Sequence, residues 1–216
     1  MPREFLRLLA GFRRFRERYF EAENSVYRKL SQGQSPKTLV IGCSDSRVDP
    51  AIIASASPGE LFVVRNVANL VPPFEIGGGY HGVSSAIEFA VVNLKVENVV
   101  ILGHRQCGGI RALVSGLREN SSSFIDRWMR IALAARERVF QAHPHADEDT
   151  LCVHCEKEAI KVSIANLKTF PFVQQAIQER GLNILGVYFD IESGDLLQID
   201  SETAEFHPIT VSSHGS

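Results

Sequence analysis

The chain has 216 residues, room for one well-buried domain and too little for two. With 44% hydrophobic and 22% charged residues, 16 Gly and 9 Pro, it is neither collagen-like, mucin-like nor wholly disordered. Lys and Arg number 23 against 25 Asp and Glu, a formal net charge of −2, so no global field draws it to nucleic acid or to an anionic membrane.

In chain order, residues 3–30 read as one amphipathic helix. Phe5, Leu8, Leu9, Phe12, Phe15, Tyr19 and Phe20 recur at intervals of three and four, and arginines and glutamates interleave around them. The interspersed glutamates favour packing on protein over a membrane surface or a nucleic-acid arm. The stripe is long for an arm that covers only its own domain, so a partner subunit is expected beneath it. Next come three short, β-branched, uninterrupted runs at 38–42, 61–64 and 98–102, the signature of strands buried on both faces of a parallel sheet. Helices are expected at 82–94, 110–117, 124–140, 151–167 and 172–180. Runs at 184–191 and 196–199, joined through Ser193-Gly194-Asp195, read as an edge hairpin. The fold class is therefore α/β: a mostly parallel central sheet flanked by helices, with an antiparallel edge and an N-terminal helical arm. The expected organisation is a dimerising arm at 1–30, one domain at 31–200 and a flexible tail at 201–216.

The four cysteines are the unusual part of the composition. A chain this long needs no disulfide staples, and cysteines near histidines in an intracellular protein bind metal or do chemistry. With no signal-like start and no apolar run approaching about 18 residues, the expected location is the cytoplasm. Two of the strand runs end in metal-capable clusters, Cys43-Ser44-Asp45-Ser46-Arg47 and His104-Arg105-Gln106-Cys107-Gly108-Gly109. Ligands collect outside the carboxyl ends of strands in an open α/β sheet. If the two strands are neighbours, Cys43, His104 and Cys107 meet at one point. Two thiolates and an imidazole suit zinc, and three ligands leave a fourth position open for water. Asp45 can either ligate that metal or accept a bidentate hydrogen bond from Arg47 and orient what the metal holds.

These paired motifs resemble the β-class carbonic anhydrases, and the likeness extends from about Gln32 to Ile199. Pro58-Gly-Glu-Leu-Phe-Val-Val-Arg-Asn66, Val71-Pro-Pro-Phe74, Ala86-Ile-Glu-Phe-Ala-Val91, Leu94-Lys-Val-Glu-Asn98, Cys155-Glu-Lys-Glu-Ala159 and Tyr188-Phe-Asp190 are similar to family segments in family order. The resemblance implies one Zn2+ per chain on Cys43, His104 and Cys107, with Asp45 and Arg47 as an orienting dyad. It implies reversible conversion of carbon dioxide to bicarbonate and a proton by attack of zinc-bound hydroxide, in a homodimer or a higher even-numbered oligomer. The plant-like, open-site subtype carries a glutamine nine positions before the first cysteine, where Gln34 stands; it would reach bicarbonate across a dimer interface. Phe62 and Val67 match the apolar wall that receives carbon dioxide, and Gly108 offers a backbone N–H. The pocket tyrosine of that pattern is Phe89 here, so a phenolic hydroxyl is missing. The bicarbonate-inhibited subtype shares Arg65, but its tryptophan and tyrosine correspond to Val40 and Phe189. A resting site with Asp45 held by Arg47 is therefore expected, with activity rising on the alkaline side of neutral.

Rival readings are a carbon disulfide or carbonyl sulfide hydrolase of similar fold and a noncatalytic structural-zinc protein. Gly77-Gly-Gly79-Tyr-His-Gly82 satisfies G-x-G-x-x-G, but two prolines precede it where the dinucleotide fingerprint needs a strand, so it reads as a loop. His81 beside it is a candidate proton carrier. Cys152-Val-His-Cys155 falls within a helical run; its cysteines read as packing residues, His154 as solvated, and Asp149 or Thr150 as the helix cap.

Overall fold

The computed structural model describes residues 1–21, 25–77, 79–118 and 122–209. Its centre is a six-stranded sheet in the order β2-β1-β3-β4-β5-β6, built from β1 (Thr38–Cys43), β2 (Leu61–Asn66), β3 (Asn98–His104), β4 (Asn183–Phe189), β5 (Leu196–Ile199) and β6 (Phe206–Pro208). The first four are mutually parallel; β5 pairs antiparallel with β4, and β6 antiparallel with β5. The β-branched runs become strands because alternate side chains find opposite faces to bury. Leu39 and Ile41 of β1 and Val99 and Ile101 of β3 are fully buried on one face, while Val40 and Leu102 pack on the other. Double-sided burial holds for these two strands and not for β2, which lies at the open edge with Val63 exposed.

The helices are α1 (Arg3–Tyr19), α2 (Val26–Leu30), α3 (Pro50–Ile53), α4 (Gly82–Glu88), α5 (Gly108–Ser115), α6 (Phe124–Met129), α7 (Leu133–Ala142), α8 (Glu148–Leu167) and α9 (Pro171–Arg180). The central one is α8, which lies directly on the sheet because two glycines let it. A Cβ at Gly103 would sit 2.6 Å from Ile160 Cδ1, and one at Gly186 2.9 Å from Ile160 Cγ2. Ile160 is fully buried there, and burying such a side chain contributes about 1.5–3 kcal/mol. Pro171 at the first turn of α9 and left-handed Gly181 after its end bound that helix.

Several expectations need correction. The single helix at 3–30 is two: α1 ends at Tyr19, and Ser25, whose hydroxyl donates to the Tyr19 carbonyl, precedes α2. The reversal stacks Tyr27 on Phe20 at 4.8 Å and sets it edge-on to Phe15 at 5.3 Å, covering rings that a straight helix would leave in water. No residue of α1 is buried, so the chain alone does not cover its apolar stripe. The helix at 82–94 passes into a π-helical turn at Phe89–Asn93, and that at 124–140 is broken by a 3-10 turn at Arg130–Ala132. Asp147, not Asp149 or Thr150, caps α8, accepting from the Thr150 N–H at 2.7 Å. Within the expected tail, Phe206–Pro208 form β6 against β5, and 210–216 lie outside the described residues. No helix among the described residues is long and apolar enough to cross a membrane.

Candidate metal centre

Strands β1 and β3 are hydrogen-bonded neighbours with Gly42 opposite Leu102, so their carboxyl ends coincide. Cys43 is the last residue of β1, His104 the last of β3, and Cys107 the N-cap of α5. The turn between His104 and Cys107 closes because Gln106 adopts φ of 59°, a left-handed conformation uncommon for a residue with a side chain. All three donors are buried, and their ligating atoms lie within 4.8 Å of one another. The two Sγ atoms are 4.0 Å apart.

Nδ1 of His104 lies 2.8 Å from the Arg105 carbonyl, a contact that fixes the ring and turns Nε2 inward. That inward nitrogen is buried with no hydrogen-bond partner. Contact with Cys107 lowers the Cys43 thiol against its burial, while the same contact and burial push Cys107 up. The two sulfurs thus lie in contact beside a buried imidazole nitrogen that has no hydrogen-bond partner. Burial disfavours a charged His104, yet the neighbouring Cys43 raises its pKa overall. Two sulfurs and an imidazole nitrogen converging this closely form a donor set that could hold a soft tetrahedral cation.

Asp45 is gripped by Arg47 through both oxygens, Nε to Oδ1 at 3.0 Å and Nη2 to Oδ2 at 2.8 Å, with the Arg47 N–H adding a bond to Oδ1 at 2.9 Å. The guanidinium hydrogen bonds hold the carboxyl well below the usual carboxylate range. Arg47 also donates to the Gln106 carbonyl at 3.0 Å, tying one ligand loop to the other. Arg65 braces the first loop from below, donating to the Cys43 carbonyl at 2.8 Å, the Asp45 carbonyl at 2.6 Å and Asp49 Oδ2 at 2.9 Å. Its donors are committed to its own loop, and Val40 and Phe189 pack together in an apolar cluster.

The remaining candidates divide by strand end. Val67 directly follows β2, whose Asn66 is in register with Cys43, and Gly108 opens α5. Gly109 must be glycine, since a Cβ there would meet Val67 Cγ1 at 2.7 Å. Val67, His81 and Trp128 share a cavity of about 840 Å³, with His81 Nε2 set 2.8 Å from the Gly77 carbonyl. Phe62 is opposite Leu39, four residues before Cys43 and so about 13 Å down the strand at about 3.3 Å per residue. It pairs with Phe89 at 5.8 Å between centroids and packs on a different cluster from the two cysteines. Gln34 is exposed in the loop entering β1, at the end opposite Cys43. A single wall of Phe62 and Val67 therefore does not form within one chain.

Glu156 is a buried acceptor to which sequence reasoning gave no role. It accepts from the Cys107 N–H at 2.9 Å and the Tyr188 hydroxyl at 2.7 Å, and burial pushes its carboxyl up. The signal was present: Cys152, Cys155, Glu156, Ala159 and Ile160 form one buried helical stripe with a carboxylate inside it. Cys152 and Cys155 are packing residues as expected, both buried in the core. His154 is not solvated but half-buried, stacked on His143 at 4.0 Å.

A family model described as carbonic anhydrase matches residues 38–196. The chain is 36% identical over 203 residues to beta carbonic anhydrase 3 of Arabidopsis thaliana, covering 91% of this chain and 78% of that protein. Among solved structures, the β-carbonic anhydrase CcaA superposes with a TM-score of 0.88 at 32% identity, covering 97% of this chain and 93% of that one. A tetrameric β-carbonic anhydrase of Sordaria macrospora gives 0.74 at 31% identity, covering 91% and 93%.

Proposed function

The chain belongs to the β-class carbonic anhydrases, lyases that hydrate carbon dioxide, and from that premise we propose that Cys43, His104 and Cys107 hold a catalytic zinc ion whose reaction Asp45 and Arg47 orient. The buried, unpartnered His104 Nε2 close to the two cysteine sulfurs carries this reading, because that donor set fits a soft tetrahedral cation. Zinc there supplies Lewis acidity, which lowers the pKa of a water from about 15.7 toward about 7.

The protein's own groups do the rest. Cys43, His104 and Cys107 would hold the ion from the ends of β1 and β3 and the start of α5. Asp45, acceptor-only while Arg47 holds both its oxygens, would accept a hydrogen bond from the attacking water and so orient it toward carbon dioxide. If Asp45 let go of Arg47 it could ligate the metal itself and close the site. The N–H of Gly108, in the first turn of α5 where backbone donors have no helical acceptor, would donate to a bicarbonate oxygen. Val67 contributes apolar wall beside the cavity that His81 also lines, a route by which His81 could accept the released proton.

Gln34, Phe62 and Phe89, at the far end of the strands, serve the site of a second copy rather than their own. That makes the working unit an even-numbered homo-oligomer, with residues 1–30 as its dimerising arm, 31–200 as the enzyme domain and 201–216 as an appendage. The substrate is a small neutral gas, which fits a chain of net charge −2, and the cytoplasm is the expected compartment. Stopped-flow assay of carbon dioxide hydration beside sulfide release from carbon disulfide tests the substrate. Rapid hydration with negligible sulfide is expected; sulfide release without hydration would assign the site to carbon disulfide instead.

A further inference from the structure

Glu156 sits on the inner face of α8 at 3% exposure, and its two hydrogen bonds come from neutral donors, the Cys107 N–H and the Tyr188 hydroxyl. A buried carboxylate without a cation is costly, and an apolar side chain would fill the same space more cheaply. Its position gives the reason. The Gln106–Cys107 peptide group is held at both ends: its carbonyl accepts from Arg47 Nη2 at 3.0 Å, and its N–H donates to Glu156 Oε1 at 2.9 Å. A trans peptide is a rigid plane with C=O and N–H pointing in opposite directions, so two such bonds fix its rotation about the chain. That rotation aims the Cα–Cβ bond of Cys107. It also needs fixing, because Gln106 before it is held at a φ of 59°, a conformation that persists only where the surroundings over-determine it.

We propose that Glu156, braced by Tyr188, is a positioning residue that locks the Gln106–Cys107 peptide plane so that Cys107 presents its sulfur to the metal. Arg47 then has a second task beyond Asp45, as the clamp on the opposite end of the same plane. The inference rests on Cys107 being a metal ligand, and its test separates the two ideas.

Zinc affinity is measured on the full chain by chelator competition, with the cobalt(II)–thiolate absorption band as a second readout, in wild type, Glu156→Ala, Glu156→Gln, Tyr188→Phe and Cys107→Ser. Glu156→Ala weakens zinc binding by about 10–100-fold and diminishes the thiolate band, in line with the loss of other outer partners of metal ligands. Glu156→Gln keeps an acceptor for the Cys107 N–H and binds close to wild type. Tyr188→Phe weakens binding in the same direction by less. Wild-type affinity in Glu156→Ala, or a Gln variant as weak as the Ala one, would overturn the proposal. If the Ala variant does not fold, unchanged affinity in Tyr188→Phe overturns it instead. Zinc lost from Cys107→Ser but retained in Glu156→Ala would remove this inference alone; a wild type that binds no zinc removes both.

Discussion

Asp45 stands two residues after Cys43 and turns both carboxylate oxygens to the Arg47 guanidinium. Arg47 is half-exposed, so the contact adds little stability as an ion pair; its value is directional. The proposed site divides the labour between Asp45 on the loop after β1 and Cys107 on the loop after β3. Cys107→Ser should lose metal, because an alcohol is a poor zinc ligand at neutral pH. Asp45→Asn should keep metal while turnover falls by about 10–100-fold, since the amide no longer accepts at both positions. Metal content by atomic emission, with turnover on the same preparations, checks the pair; equal zinc loss in both would refute the division.

At the scale of elements, what was legible in the sequence followed from periodicity and termination. The runs at 38–42 and 98–102 announced strands, and because strand ends in a parallel sheet share an edge, the Cys43 and His104 motifs could be brought together without a structure. Tertiary choices were not legible. Nothing local says that β2 is an edge, that Tyr27 folds back on Phe15, or that Phe206–Pro208 adds a strand, since each depends on a distant partner. His154 is the clearest case. Its spacing on α8 is compatible with solvent, but α7 brings His143 over it. Burial, then the charges of His143 and Lys157, lower the His154 pKa, against a raising influence of Glu158. A folded-state pKa below the unfolded value of about 6.5 means the unfolded chain binds the proton more tightly. The contribution is therefore present above that pH and lost as pH falls through the folded value. Wild type should lose more thermal stability than His154→Gln between pH 7.5 and 5.5, as read by the two melting temperatures; parallel losses would show that the stacked pair plays no part.

For the whole molecule, the open features lie together in logic: an α1 with no buried residue, an uncapped β2 edge, and Gln34, Phe62 and Phe89 at the strand ends away from their own cluster. All are explained if two chains complete each other. Removing residues 1–20 should then shift the chain to smaller species in sedimentation and lower hydration more than zinc content; an unchanged oligomer would free the arm from that role. Whether hydration belongs to a metal on Cys43, His104 and Cys107 is decided by returning zinc stepwise to metal-stripped protein while following carbon dioxide hydration. The rate should rise linearly and break at one zinc per chain. Hydration before any zinc is added, or a fully loaded protein with none, would contradict it.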